Sequence, residues 1–216
     1  MSWGGRSLQG YPAQLLRGML DLYSPSGSEA QLANFLRDEM HAKGMDASID
    51  DAGNVIGVLG DGSPRILLCG HMDTISGNIP VRVDGDLLYG RGAVDAKSSL
   101  ASMIIGAIQA KERTHAPVQI TVAGVVEEET SSKGIRALVA KNLQYDLAVF
   151  GEPSGASNIV VGYKGSLKLH LSFRLILLEL RNGTSASVSS RVLECQFFHV
   201  YRFTHAFSLG VRSGRT

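Results

Sequence analysis

Apolar positions in residues 12–23 (Leu15, Leu16, Met19, Leu20, Tyr23) fall at helical spacing and predict an opening helix. Ser26 and Glu29 fit a capping box, with a serine capping a first turn and a glutamate reaching back. The set Leu32, Phe35, Leu36 and Met40 then lies on one helical face, and Gly44 closes that helix as a C-cap. From Met45 the period changes. Residues 45–50 and 55–59 read as short strands joined by a turn at 51–54, and 65–69 as an apolar strand buried on both faces. A hairpin is predicted over 81–89 around Asp84-Gly85-Asp86. A helix follows over 95–110, with Leu100, Met103, Ile104, Ala107 and Ile108 inward. A buried strand at 118–126, a helix capped by Ser131 or Ser132 and running through Val139, and a strand at 147–150 complete the pattern.

Buried strands alternating with helices imply an α/β fold, its sheet mostly parallel and its helices on both faces. Such sheets bind ligands outside the carboxyl ends of their strands. Polar residues at those ends therefore deserve a closer reading than polar residues elsewhere.

Composition narrows the function classes. The chain has 216 residues, 44% apolar and 19% charged, as in a globular protein, and a formal net charge of +1. No basic stripe interleaves with aromatics, which argues against nucleic acid as a partner. The longest apolar runs, 66–69 and 175–178, are far too short for a bilayer, so no membrane partner is expected. The opening MSWGGRSLQG lacks the charged lead and apolar stretch of a secretory signal. Two cysteines, Cys69 and Cys195, make a disulfide framework unlikely and a reducing cytoplasm the expected compartment.

Four junctions carry candidate chemistry, three of them at the ends of apolar strands. His71 and Asp73 follow the strand ending at Cys69. Being two apart in extended chain, they point the same way, so Asp73 can accept the far ring N–H of a metal-binding His71. Alone, the pair is an ordinary loop dipeptide. Asp95 stands at a helix entrance after a glycine-rich approach, where a short carboxylate can bridge two cations; alone it reads as an N-cap. Glu127, Glu128 and Glu129 leave a strand together, suiting one as ligand and a neighbour as general base, or else a solvated helix start. Glu152 lies in a Gly-Glu-Pro turn. One imidazole among several carboxylates suits zinc, cobalt or manganese better than calcium or magnesium. With no cysteine among them, an open hydrolytic site fits better than a closed structural one.

In order, HMDT (71–74), YGRGAVDAKSSLA (89–101), GVVEEETSSKG (124–134) and VFGEPSG (149–155) resemble the dinuclear zinc aminoacylase and carboxypeptidase family. That family includes acetylornithine deacetylases and succinyl-diaminopimelate desuccinylases. The resemblance covers about residues 10–174 and looks nearest to the acetyl-lysine deacetylase branch. It implies two divalent metal ions, zinc or cobalt. It also implies an amide hydrolase of amino-acid biosynthesis that acts on a small acylated amino acid, or on lysine or ornithine held by an amino-group carrier protein. A dipeptidase of the same family is the alternative. By the same resemblance, His71 and Glu152 bind one metal, Asp95 bridges both, Glu129 binds the second, Glu128 is the general base and Asp73 orients His71. The Asp95–Ala96 peptide is expected in cis.

Family members also carry a lid domain, through which they often dimerise, and a final histidine for the second metal. Residues 1–163 read as part of the catalytic domain and 164–174 as the start of a lid. Residues 175–216, with no Lys or Asp, read as an aberrant, out-of-frame ending in which His199 and His205 lack a ligand context. Weak binding of the second metal and little turnover are the expected consequences.

Overall fold

The computed structural model describes residues 10–113, 116–155, 160–162, 167–181 and 185–199, the last two segments as backbone alone. The chain divides into two units, Met1–Pro153 and Ser154–Thr216. In the second, β8 (Leu167–Arg181) and β9 (Ser185–His199) pair antiparallel from Leu167↔His199 to Arg181↔Ser185. His205 and the side chain of His199 lie outside the described residues.

The first unit opens with α1 (Tyr11–Asp21) and α2 (Ala30–Ala42), followed by β1 (Asp46–Ile49), β2 (Val55–Leu59) and β3 (Arg65–His71). The hairpin β4 (Arg82–Asp84) and β5 (Leu87–Tyr89) precedes α3 (Lys97–Arg113), β6 (Gln119–Val125), α4 (Lys133–Ala140) and β7 (Leu147–Phe150). The main sheet has the order β1-β2-β6-β3-β7. β3 is parallel to both β6 and β7, while β2 joins β6 and β1 joins β2 antiparallel. Among the described residues no helix is long and apolar enough to cross a membrane.

Strand alternation sorts the core onto two faces. On one, Ile66, Leu68, Val55, Ile120 and Val122 meet Leu15 and Met19 of α1, Leu32, Leu36 and Met40 of α2, and Leu100 and Ile104 of α3. On the other, Leu67, Cys69, Ala123 and Val125 meet Leu138 and Ile135 of α4. The expected α/β layering with helices on both faces is therefore observed. Gly44 also ends α2 as predicted. It takes a φ of 80°, and the amides of Gly44 and Met45 donate to the carbonyls of His41 and Met40.

Two helix-start predictions need correction. Ser26 and Glu29 form no capping box: α2 begins at Ala30 without a side-chain cap, because Gly27 turns the chain at φ 86° and both side chains reach across to the loops after β3 and β6. Neither is Asp95 a cap, since α3 begins at Lys97. At α4 the expected serine pair is in place: Ser132 occupies the N-cap position at φ 54° without a side-chain bond, and Ser131 Oγ accepts the Lys133 amide.

One polar residue holds the turn after β6 in place. Asn54, fully buried, accepts the Val126 amide and donates to the Gly134 carbonyl and to Asp50. Gly134 is required beside it, because a Cβ there would collide with Asn54 Oδ1 and the Val126 nitrogen. Asn54→Ala orphans a buried amide and is expected to cost about 1–3 kcal/mol, read from the urea unfolding midpoint. An unchanged midpoint would remove Asn54 from this role.

Candidate metal centre

Parallel register delivers the candidate residues to one edge of the sheet. β3 and β6 run together to His71↔Val125, so the loops at 72–74 and 126–129 leave side by side. β7 ends at Phe150 opposite Cys69, and the Gly151 amide donates to the Cys69 carbonyl, which places Glu152 next to the end of β3. Gly151 allows α3 to press against this turn, since a Cβ there would lie 3.0 Å from Ser99 Cβ and Met103 Cε. Asp95 stands just before α3, and its peptide bond to Ala96 is cis, as the family resemblance implied.

His71 is 2% exposed. Its Nδ1 donates to the Asp73 carbonyl at 2.9 Å, with the Asp73 carboxylate 3.5 Å away, and its Nε2 lies 3.1 Å from Asp95 Oδ1. Both the main-chain carbonyl and, at the longer distance, the carboxylate of Asp73 therefore face Nδ1 and orient the ring. Nε2 is left to face the cluster. His71, Asp95 and Glu152 offer ligand atoms that all lie within 4.8 Å of one another. One buried imidazole and two more exposed carboxylates form a donor set that fits a divalent cation with a position open to solvent.

The three adjacent glutamates separate into distinct roles. Glu127, at φ 54°, turns away, its carboxylate taking the Ser131 hydroxyl at 2.6 Å and lying 3.7 Å from Lys133 Nζ. The amides of Glu128 and Glu129 donate to Asp73 Oδ1 and Oδ2. Glu128 is exposed, whereas Glu129 is partly buried. Glu129 falls outside the three-residue cluster, yet burial and the nearby Asp95 carboxylate raise its pKa.

Electrostatics here are those of a carboxylate-rich pocket. Burial and then the opposing charges of its neighbours act on Glu152, whose pKa is raised. Burial works against ionisation of Asp73, but bonds from His71, Ser26 and the two loop amides outweigh it and bring its pKa to about 2. For His71, burial lowers the pKa, but Asp73 and Glu128 overcome that and raise it to about 9. Cys69 is inert beside them, its thiol pushed up to about 12 chiefly by burial. Lys97 follows Asp95 into the core, its Nζ donating to the Met19 and Leu22 carbonyls at 2.9 and 2.8 Å, with burial lowering its pKa to about 8. It fastens the end of α1 under the site, a role that no sequence signal marked.

A pH prediction follows for the metal-free chain. A histidine whose pKa is raised on folding stabilises the fold fully below its unfolded value near 6.5 and loses that contribution as pH rises through about 9. The raised Cys69 thiol acts in the same direction, since it ionises more readily unfolded, whereas Lys97, whose lowered pKa makes it hold its proton more readily unfolded, offsets part of the fall. The urea midpoint is therefore expected to be higher at pH 6 than at pH 9.5, with a smaller difference in His71→Gln. An equal or reversed difference would contradict this charge arrangement.

Comparison with known proteins agrees with the geometry. The family model described as peptidase family M20/M25/M40 matches residues 67–208. A protein named putative LysW-lysine/LysW-ornithine hydrolase from Pyrococcus abyssi is 41% identical over 162 residues, 75% of this chain and 46% of its own length. The LysW-lysine hydrolase of Deinococcus radiodurans is 43% identical over 156 residues, 71% of this chain and 43% of that protein. This chain therefore spans about half the length of the curated relatives it matches. Among solved structures, the M20 family metallo-carboxypeptidase Sso-CP2 from Sulfolobus solfataricus superposes with a TM-score of 0.59 at 20% identity, covering 80% of this chain and 44% of that one. That similarity speaks for the fold alone.

Proposed function

The chain belongs to the M20/M25/M40 peptidase family, and from that membership we propose that it carries the metal-binding residues of a divalent-metal amide hydrolase. The reading rests chiefly on the convergence of His71, Asp95 and Glu152 within 4.8 Å at the carboxyl ends of parallel strands. His71, Asp95 and Glu152 hold one cation, while Asp95 and Glu129 contribute to a second; zinc or cobalt suits both. When bound, such cations acidify a water and polarise an amide carbonyl. Exposed Glu128 takes the proton of the attacking water and returns it to the leaving nitrogen, so the C–N bond breaks to a carboxylate and a free amine. Asp73 holds His71 and the backbone of Glu128 and Glu129 in one arrangement.

The substrate we propose is lysine or ornithine on a small acyl group or on an amino-group carrier protein, in amino-acid biosynthesis in the cytoplasm. The names of the relatives support this choice. Incubating the chain with N-acetyl-lysine, or with carrier-linked lysine, in the presence of zinc or cobalt is expected to release free amine only when the cation is present. No cation-dependent release from either would reject the assignment.

A second reading shares the site. Among the described residues, the second cation would have only Asp95 and Glu129, both carboxylates, as ligands. A chain that binds one cation firmly and a second weakly would turn over slowly. Calorimetric titration with zinc is expected to show one tight and one weak site, and two tight sites would exclude this reading.

A further inference from the structure

The segment Ser24-Pro-Ser-Gly-Ser-Glu29 is knitted to the loops of the site along its whole length. Ser24 Oγ donates to the Met72 carbonyl, the Thr74 amide donates to the Ser24 carbonyl, and the Ser26 amide donates to the Thr74 carbonyl. Two of its side chains go further. Ser26 Oγ donates to Asp73 Oδ2 at 2.6 Å, and Glu29, 4% exposed, accepts the Glu127 amide at 2.9 Å.

The result is that three successive amides of the acidic loop each end on a buried carboxylate. Glu127 donates to Glu29 Oε1, Glu128 to Asp73 Oδ1 and Glu129 to Asp73 Oδ2. The loop begins at Glu127 with a φ of 54°, a left-handed conformation that is unfavourable for a non-glycine residue. It therefore depends on outside partners for its shape. Glu29 takes the amide of the strained residue itself. Ser26 fixes the rotation of the Asp73 carboxylate, whose two oxygens must face two adjacent amides at once. A carboxylate free to rotate would hold one of them at most.

We propose that Ser26 and Glu29 are positioning residues of the metal centre: they fix the backbone from which Glu128 and Glu129 project, without touching cation or substrate. This rests on the functional reading above, in which Glu128 is the base and Glu129 a ligand. Nothing in the fold requires their polarity otherwise, because α2 starts without a side-chain cap.

The test compares Ser26→Ala and Glu29→Ala with the conservative Ser26→Thr and Glu29→Gln, each of which keeps a hydroxyl donor or an oxygen acceptor. Hydrogen exchange of the metal-free chain reads the loop directly. The alanine variants are expected to exchange faster at residues 127–129, and the conservative pair to match the parent. In the loaded chain, zinc affinity is expected to fall about 10- to 100-fold in the alanine variants. Amide turnover should fall through kcat with KM little changed, and both losses should be rescued by Thr and Gln. Unchanged exchange at 127–129 overturns the proposal. So does a lowered melting temperature with zinc affinity and kcat at parent values, which would make the segment merely structural. A parent that binds no cation rejects the functional reading instead, and the exchange measurement then decides whether the two residues hold the loop.

Discussion

Replacing His71 with alanine is expected to weaken zinc binding by more than about a hundredfold and to abolish cation-dependent amide cleavage. Loss of a residue that merely orients a ligand costs about 10- to 100-fold in affinity, and His71 is proposed as the ligand itself. It is also the only nitrogen in the cluster with Asp95 and Glu152. Without it the site is a pair of exposed carboxylates, a set that no longer favours zinc over the more abundant hard cations. Its environment sharpens the expectation. Nδ1 is committed to the Asp73 carbonyl, so only Nε2 can bind, and no other described histidine stands at this edge of the sheet. Because the metal-free imidazole has a pKa of about 9, zinc arriving at pH 7 must displace a proton from it. Calorimetry in buffers of different ionisation enthalpy should therefore show proton release on binding in the parent chain and its loss in His71→Ala. Parent-like affinity in the variant would move the cation elsewhere.

Much of the site was legible because its residues sit where local rules are strong. His71 and Glu152 follow short apolar strands, and a parallel sheet has to bring the ends of adjacent strands to one edge. The same logic made the two faces of the core readable from alternation in β3 and β6. What spacing could not decide was which neighbour does what. Glu127, Glu128 and Glu129 are chemically identical in a string. Only the left-handed turn at Glu127, together with the hydroxyl of Ser131 and the ammonium of Lys133, draws that residue away from the other two. His71 and Asp73 do meet, and what spacing could not supply is that the main-chain carbonyl of Asp73 approaches Nδ1 more closely than its carboxylate does.

The misread helix start is instructive for the same reason. A serine three residues before a glutamate is a local signal, and local signals yield when tertiary partners offer stronger bonds. Asp73 is a fully buried carboxylate with room for one more donor beside the amides of Glu128 and Glu129, and the part-buried Glu127 amide needs an acceptor. Ser26 and Glu29 supply both, while α2 starts uncapped. Asn54 and Lys97 escaped notice because a buried polar residue inside an otherwise ordinary strand edge or helix leaves no periodic mark; its meaning lies in contacts 72 to 80 residues away.

Glu128→Gln is expected to separate binding from chemistry. Its side chain is exposed at the site while its amide is held by Asp73. A glutamine keeps that amide and the shape of the residue but cannot accept a proton at neutral pH. Loss of a general base typically lowers turnover by about a hundredfold to ten-thousandfold, so kcat should fall within that range while zinc affinity changes by only a few-fold. The small change in affinity is the net of two opposing effects. Glu128 adds negative charge that helps raise the His71 pKa, so removing it eases loss of the competing proton but also withdraws attraction for the cation, and the two effects oppose each other. Glu129→Gln, by contrast, should weaken the second cation site, since Glu129 is assigned as its ligand. If Glu128→Gln lost zinc affinity as severely as His71→Ala while Glu129→Gln kept it, the base and the ligand would have to exchange places along the loop. The alternation of the two side chains after Glu127 would then be assigned the other way round.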